Sequence, residues 1–321
     1  MPNRTPGLVS RGLAALALAA GLVPTLRAAD VPVSPALLAR AGEYARRFEA
    51  KMTAMVGDED YRQEGTRRYG PVSPSWDGPV TPSVQPSNGN SPNSIHLVQV
   101  AGRQRRTQAE MLFLWLPEET AWLTVRNVLS VDGEPVPGSE QRLGDAVGQT
   151  AVGRRTRLRR LRDDNTLFNL GSIDGSVNYP TVALQYLDPA LQPRFRFTTA
   201  GHARFRGVET TMIAFVEQRL PAVGQENGAA PMSRGTLWVA DANGAVLRTR
   251  MALRVPTPDT VVNVEVDYRP DAALDLWVPE RMRETYQRRQ ESQLAEHMEG
   301  VATYSNFRPF GRQASTGPLP R

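Results

Sequence analysis

Apolar and polar residues alternate from Ala245 to Val255. Leu247, Met251, Leu253 and Val255 fall on one side with Thr249 among them, and Arg248, Arg250 and Arg254 fall on the other. A period of two marks a half-buried strand. Thr236 to Ala240 precedes it across Asp241-Ala242-Asn243-Gly244, where the Asn-Gly pair supplies the positive φ angles of a tight reversal. The next run repeats the device with opposite charge, setting Val262, Val264, Val266 and Tyr268 against Asn263, Glu265 and Asp267. Arginines facing carboxylates across a strand pair form a favourable ladder. The pattern predicts a three-stranded antiparallel meander with one solvated face.

Elsewhere the periods differ. Ser34-Pro35 is a helix start, and Leu37, Leu38, Ala41, Tyr44, Ala45, Phe48, Met52 and Met55 recur at helical spacing, predicting a long helix that ends near Gly57. Asp58-Glu59-Asp60 then reads as a loop of solvated acids and residues 61–64 as a short strand. Residues 70–94 carry six prolines among serine, glycine and asparagine, which predicts a flexible excursion within one domain. Strands are predicted over 95–101, 108–116 and 121–131. Residues 111–116 are apolar on both faces, as in a central strand covered on each side. Residues 143–168 read as helical, and a short helix is predicted to start at Asn178-Tyr179-Pro180-Thr181 and run to Leu187. From Pro193 the chain reads as β, with a second two-faced apolar strand at 212–216, short strands at 274–279 and 282–286, and a last strand at 301–310. The polar stretch 287–300 reads as an exposed helix or loop, and 311–321 as a frayed tail. The fold class expected is α+β, predominantly antiparallel: a strongly curved sheet or incomplete barrel, with a long N-terminal helix and a helical middle segment packed on it.

Composition narrows the function classes. Arg4 and Arg11, the apolar run 12–23 and the small residues near Ala28 form the pattern of a signal peptide over 1–29, so the chain is expected to be exported, to the periplasm or beyond, with a single domain over 30–310. Removing the three arginines of 1–29 takes the formal charge from +5 to +2. Near-neutral charge offers no footprint for nucleic acid. Cysteine is absent, which excludes disulfides and thiolate metal sites. His96, His202 and His297 lie far apart, without metal-ligand spacing, and no phosphate loop, dinucleotide fingerprint or nucleophile elbow is found. No catalytic residue, cofactor or metal is therefore assigned, and a non-enzymatic role is favoured over an enzyme.

Two surfaces remain. The aligned apolar strand positions Phe215, Trp238, Met251, Leu253, Val264, Val266 and Tyr268 either line a cavity for an apolar ligand or form ordinary core capped by residues 37–55 and 180–187. Arg157, Arg159 and Arg160, interleaved with Leu158 and Leu161, form either a surface for anionic lipid or an acidic partner, or a solvated helix face.

The hairpin residues Gly235-Thr236-Leu237-Trp238-Val239 and Asn243-Gly244, the run Val264-Glu265-Val266-Asp267-Tyr268 and Leu276-Trp277-Val278-Pro279 resemble the periplasmic outer-membrane lipoprotein carriers. That resemblance covers about residues 190–310 and implies a half-barrel with a cavity for acyl chains. The whole chain resembles a family of exported bacterial proteins without an assigned activity. The residues that carry this are Tyr61-Arg62-Gln63, Arg126-Asn127-Val128, Phe168-Asn169-Leu170-Gly171, Asn178-Tyr179-Pro180-Thr181, Arg194-Phe195-Arg196-Phe197 and Tyr304-Ser305-Asn306-Phe307. Asn127 stands where that resemblance places an aspartate. The function expected is an exported protein binding an apolar or acylated ligand, with a packed structural or partner-binding envelope protein as the alternative.

Overall fold

Among the described residues, twelve strands, each antiparallel to its partners, make up one sheet that does not close on itself. The computed structural model describes residues 31–69, 98–99, 102–116, 119–147, 151–170, 179–219, 233–255, 260–290 and 293–310. The expected signal peptide, the proline-rich excursion and the tail lie outside the described residues. In chain order the elements are α1 (Pro35–Met52), β1 (Met55–Tyr69), β2 (Val98–Gln99), β3 (Arg103–Leu116), β4 (Ala121–Val131), β5 (Glu134–Pro135), α2 (Ser139–Val147) and α3 (Ala151–Asn165). There follow β6 (Phe195–Phe205), β7 (Val208–Glu217), β8 (Arg234–Ala240), β9 (Val246–Val255), β10 (Thr260–Asp271), β11 (Leu276–Gln290) and β12 (Gln293–Pro309). The strands β6 to β12 form an unbroken meander, β1 joins it beside β12, and β3, β4 and β5 complete the order, with β2 paired to β1.

The sheet must curl, for a geometric reason. On α1, Arg40 donates to the carbonyl of Asp241 in the β8–β9 turn at 3.0 Å, and Phe48 meets the Trp122 ring of β4 edge-on at 6.0 Å. Eight residues of helix span about 12 Å. From β9 to β4 there are six strand steps, about 29 Å in a flat sheet at roughly 4.8 Å each. One short stretch of helix reaches both only if the sheet wraps around it. Tyr44 takes part from the middle of α1, bridging the backbone of Trp277 on β11 as donor and acceptor at 3.2 Å.

The inner face, under α1, forms one large apolar cluster that runs from Phe113 and Trp122 to Phe195 and Phe215. A second cluster lies on the outer face of β1, β3 and β4, where Leu112, Leu123 and Val125 meet Leu143, Leu158 and Leu161 of α2 and α3. Met111 and Phe113 therefore face one layer and Leu112 the other, as the two-faced apolar pattern predicts. Asn127, buried on the outer face, donates to the carbonyl of Ser139 at the start of α2 at 2.9 Å. From β9 to β11 the outer face is open, and the expected ladder forms: Arg248 pairs with Asp267, Arg250 with Glu265, and Arg283 with both acids. No helix of the described residues is long and apolar enough to cross a membrane.

Several sequence expectations are corrected. The long helix ends at Met52 rather than Gly57, because Ala54 adopts a positive φ and reverses the chain into β1. Asp58-Glu59-Asp60 is not a loop but part of β1, and each acid has its own arginine. Asp58 pairs with Arg308, Asp60 with Arg106 and Glu59 with Arg126. Residues 287–290 and 293–300 are strand, the end of β11 and the start of β12, rather than an exposed helix or loop. The two short strands after 274 are one, β11, carrying a bulge where Asp267 faces Arg281 and Tyr268 faces Pro279. The helical middle begins earlier, at Ser139, and divides into α2 and α3. The short helix at 180–187 is a run of turns with a single 3-10 turn, Leu184–Leu187.

Candidate functional site

Strand register joins the inner face into continuous transverse rows. One row runs Gln63, Gly300, Glu284, Val264, Met251, Gly235, Phe215 across seven strands. Its neighbour runs Tyr61, Ala302, Met282, Val266, Thr249, Leu237, Ile213. Both glycines of the first row make room for a large neighbour. A Cβ on Gly235 would stand 2.8 Å from the Phe215 ring, and one on Gly300 would stand 2.7 Å from the Glu284 carboxyl and 2.8 Å from Tyr61. The inner face thus has an apolar end, on β7 to β10, and a polar end, on β11, β12, β1 and β4.

Six of the seven expected cavity residues, Phe215, Met251, Leu253, Val264, Val266 and Tyr268, come together at the apolar end, each no more than 6 % exposed. Trp238 does not join them. It sits opposite Arg248 in the register, on the outer face, with the Arg248 and Arg250 guanidinium groups over its ring. The parity of β8 decides this, since Leu237 and Val239 take the inward positions. Three of the six are touched by the segment 179–191: Tyr268 donates to the carbonyl of Pro180 at 2.7 Å, and the Tyr186 hydroxyl meets the Met251 sulfur at 3.3 Å and its ring meets Phe215. Within that segment Thr181 Oγ1 and Gln185 Oε1 are buried without a hydrogen-bond partner. Burial also pushes the Tyr179 phenol up to about 12. Where the segment meets α1, Glu49 is buried, and its carboxyl is pushed up to about 8, first by burial and then by nearby Asp188.

The polar end holds a network the sequence reading did not assemble. Glu284 accepts hydrogen bonds from the Tyr61 and Tyr286 hydroxyls. Gln63 donates to Tyr61 at 2.7 Å and to Asn169 Oδ1 at 3.2 Å, and accepts from the Leu170 amide at 2.9 Å. Arg105 adds a bond to the carbonyl of Phe168 at 2.9 Å. Residues 168–170, following α3, are thereby tied to the sheet. Beside them Arg126 grips both oxygens of Glu59 and lies over the Tyr61 ring. Burial opposes the charge on Arg126, but the attraction and hydrogen bonds of Glu59 outweigh it and raise its pKa. Burial pushes Glu284 up to about 7, more strongly than its two phenol donors and Arg126 pull it down. The phenols of Tyr61, Tyr286 and Tyr304 rise well above their usual value through burial and then neighbouring carboxylates.

Such a set neutralises one carboxylate with one guanidinium and leaves the second sharing phenol protons. Several stretches quoted for the exported-family resemblance, those holding Tyr61, Arg126, Asn169 and Tyr304, meet here. A sequence signal existed in the parity: Glu59, Tyr61 and Gln63 share one face of β1, and Glu284 and Tyr286 one face of β11. The acid paired with Arg126 is Glu59, so the aspartate expected at position 127 is not needed for the pair.

Of the expected partner surface, Arg159 is tied to Glu119 through both carboxylate oxygens at 2.6 Å, while Arg157 and Arg160 are exposed. His202, on β6, contacts the Thr211 hydroxyl at 3.2 Å far from the polar network in the register, while His297, next to the Met298 that faces Tyr286, has the opposite parity and contacts Glu299 at 3.0 Å. No group of three metal-ligating side chains occurs among the described residues.

No family model and no curated protein matches the chain. Solved structures do. A domain from Vibrio parahaemolyticus classed with outer membrane lipoprotein-sorting proteins is 12 % identical, covers 87 % of this chain and 94 % of its own, and superposes with a TM-score of 0.35. A DUF1329 family protein from Desulfovibrio piger is 11 % identical over 86 % of this chain and 95 % of its own, with a TM-score of 0.27. Lipovitellin, in a structure concerned with lipid–protein interactions, is 9 % identical, covering 83 % of this chain and 27 % of its own, at 0.25. At such scores none of them bears on what the chain binds.

Proposed function

We propose that the chain is an exported protein that receives an apolar or acylated ligand at the apolar end of its inner face, with residues 179–191 withdrawing to admit it. The observation that carries this is the cover itself. Phe215, Met251, Leu253, Val264, Val266 and Tyr268 form a pre-aligned apolar floor, and what lies on Phe215, Met251 and Tyr268 is a run of turns with two orphaned polar atoms. Each buried unpaired polar group costs about 1–3 kcal/mol, so the cover is held less firmly than a helix of matching apolar residues. An acyl chain brings no polar atoms of its own to orphan there, although it takes the Pro180 carbonyl away from the Tyr268 hydroxyl. The competing reading, a packed structural sheet with no ligand, is favoured by one fact: the floor is already almost wholly buried by the chain itself.

Mass spectrometry of lipids extracted from the purified protein, with a fluorescent apolar dye titrated into the delipidated chain, separates the two. Binding predicts co-purifying lipid and a dye signal displaced by long-chain fatty acid. A lipid-free protein that leaves the dye dark overturns it and leaves the packed sheet standing.

A further inference from the structure

The outer face of α3 raises a separate question, independent of any ligand on the inner face. The helix carries six arginines and two aspartates. Leu158 and Leu161 turn inward against Leu123 and Val125, which fixes the orientation of the rest. Arg155 and Arg159 share Glu119, and Arg162 pairs with Asp163. Arg157 and Arg160 are exposed and have no ion-pair partner among the described residues. Leu167, in the 3-10 turn Thr166–Phe168 that continues the helix, stands seven positions beyond Arg160, about two turns on along the same side. It is 80 % exposed, one of two large apolar side chains so placed among the described residues.

Solvation alone accommodates exposed guanidinium groups, and the single exposed leucine on the same side adds an apolar group to a cationic face. A bilayer interface with anionic headgroups satisfies both, since phosphates take the guanidinium groups bidentately and the leucine enters the acyl boundary. An acidic protein would satisfy the charges and have less use for Leu167. We propose that the face of α3 bearing Arg157, Arg160 and Leu167 docks the protein on an anionic phospholipid surface. With two free arginines and one apolar side chain the attachment is weak, reversible and salt-sensitive, because stable anchoring needs stronger paired signals.

Flotation of the purified full chain with vesicles tests this. Vesicles of phosphatidylcholine alone are compared with vesicles containing one-quarter phosphatidylglycerol, the neutral set removing any contribution from apolar segments elsewhere. The wild type is expected to float with the anionic vesicles at low salt and to be released at 0.5 M salt, about one Debye length of 4–5 Å. Near an anionic surface each arginine counts for about fivefold in affinity, so replacing both by alanine costs about 25-fold. The charge reversal R157E/R160E costs more, and Leu167→Ser weakens binding severalfold. All three positions are exposed, and an unchanged circular dichroism spectrum separates lost docking from lost fold. Equal binding to both vesicle types, undiminished binding by R157E/R160E, or indifference to Leu167→Ser each overturns the proposal. If no anionic-vesicle binding is seen at all it falls too, with an acidic protein as the remaining occupant.

Discussion

Between β7 and β10 the inner face meets its cover through apolar side chains, while from β11 to β4 it meets residues 168–170 through a chain of hydrogen bonds. Rows of the same register serve both ends, so the difference comes from side chains alone. At the apolar end burial is worth about 1.5–3 kcal/mol per large side chain whatever apolar group supplies it. Apart from the Tyr268–Pro180 hydrogen bond and the Tyr186–Met251 contact, the cover is held there by apolar burial, and it is this part that the proposed ligand would replace. At the polar end each donor has a particular acceptor, and removing one member orphans another. One end is suited to exchange and the other to fixing the chain in place.

The polar end is broken most severely at its ion pair. Arg126→Met leaves Glu59 buried without a counter-charge, and stability measured by urea denaturation is expected to fall by about 3–5 kcal/mol. Adding Glu59→Leu to that variant should restore most of the loss, since an apolar pair of similar size lacks the orphaned charge. A loss below about 1 kcal/mol in the single variant would show that water reaches the pair and that the two ends are not so different.

Titration gives the next largest effect. The Glu284 carboxyl is pushed up to about 7 in the folded chain, above its usual value near 4.5, so between those values the folded state holds a proton that the unfolded state has released. Stability is therefore fullest below about pH 4.5 as far as this group is concerned, and falls as pH rises toward 7 by at most about 1.4 kcal/mol per unit. Glu49, at about 8, extends the same fall further. Urea midpoints recorded from pH 5 to 8 should decline, and Glu284→Gln should flatten the part below pH 7. An identical slope in wild type and variant removes Glu284 from the account.

The smallest change sharpens the apolar end. Thr181→Val removes the orphaned hydroxyl at nearly constant volume and should stabilise the chain by about 1 kcal/mol. If the segment must leave for a ligand, the same variant should take up an apolar dye less well, about fivefold by equilibrium titration. Greater stability with unchanged dye uptake would mean that the dye binds elsewhere.

Much of the sheet was legible beforehand because strand alternation is a local signal. The Val262 to Tyr268 side, the arginine ladder and the exact span of β4 follow from which residues share a parity. Trp238 reads with the inner face by its aromatic character, but its position between the inward Leu237 and Val239 puts it on the other side. The acids of 58–60 read as a loop because three charges together suggest solvation. Their partners, Arg308, Arg126 and Arg106, lie 46 to 250 residues away in the chain and no local pattern announces them.

What the sequence determined by itself is most of the central strands, their in-and-out parity and the balance of charge, because these depend on neighbours two to four positions apart. Tertiary structure decided which parities were stacked into one row. It set Gln63 beside Gly300 and Glu284, placed Glu59 under Arg126, and laid residues 179–191 over Met251 and Phe215. Those outcomes depend on strand order and on the curl of the sheet around α1, and both are set by contacts between segments that the sequence keeps far apart.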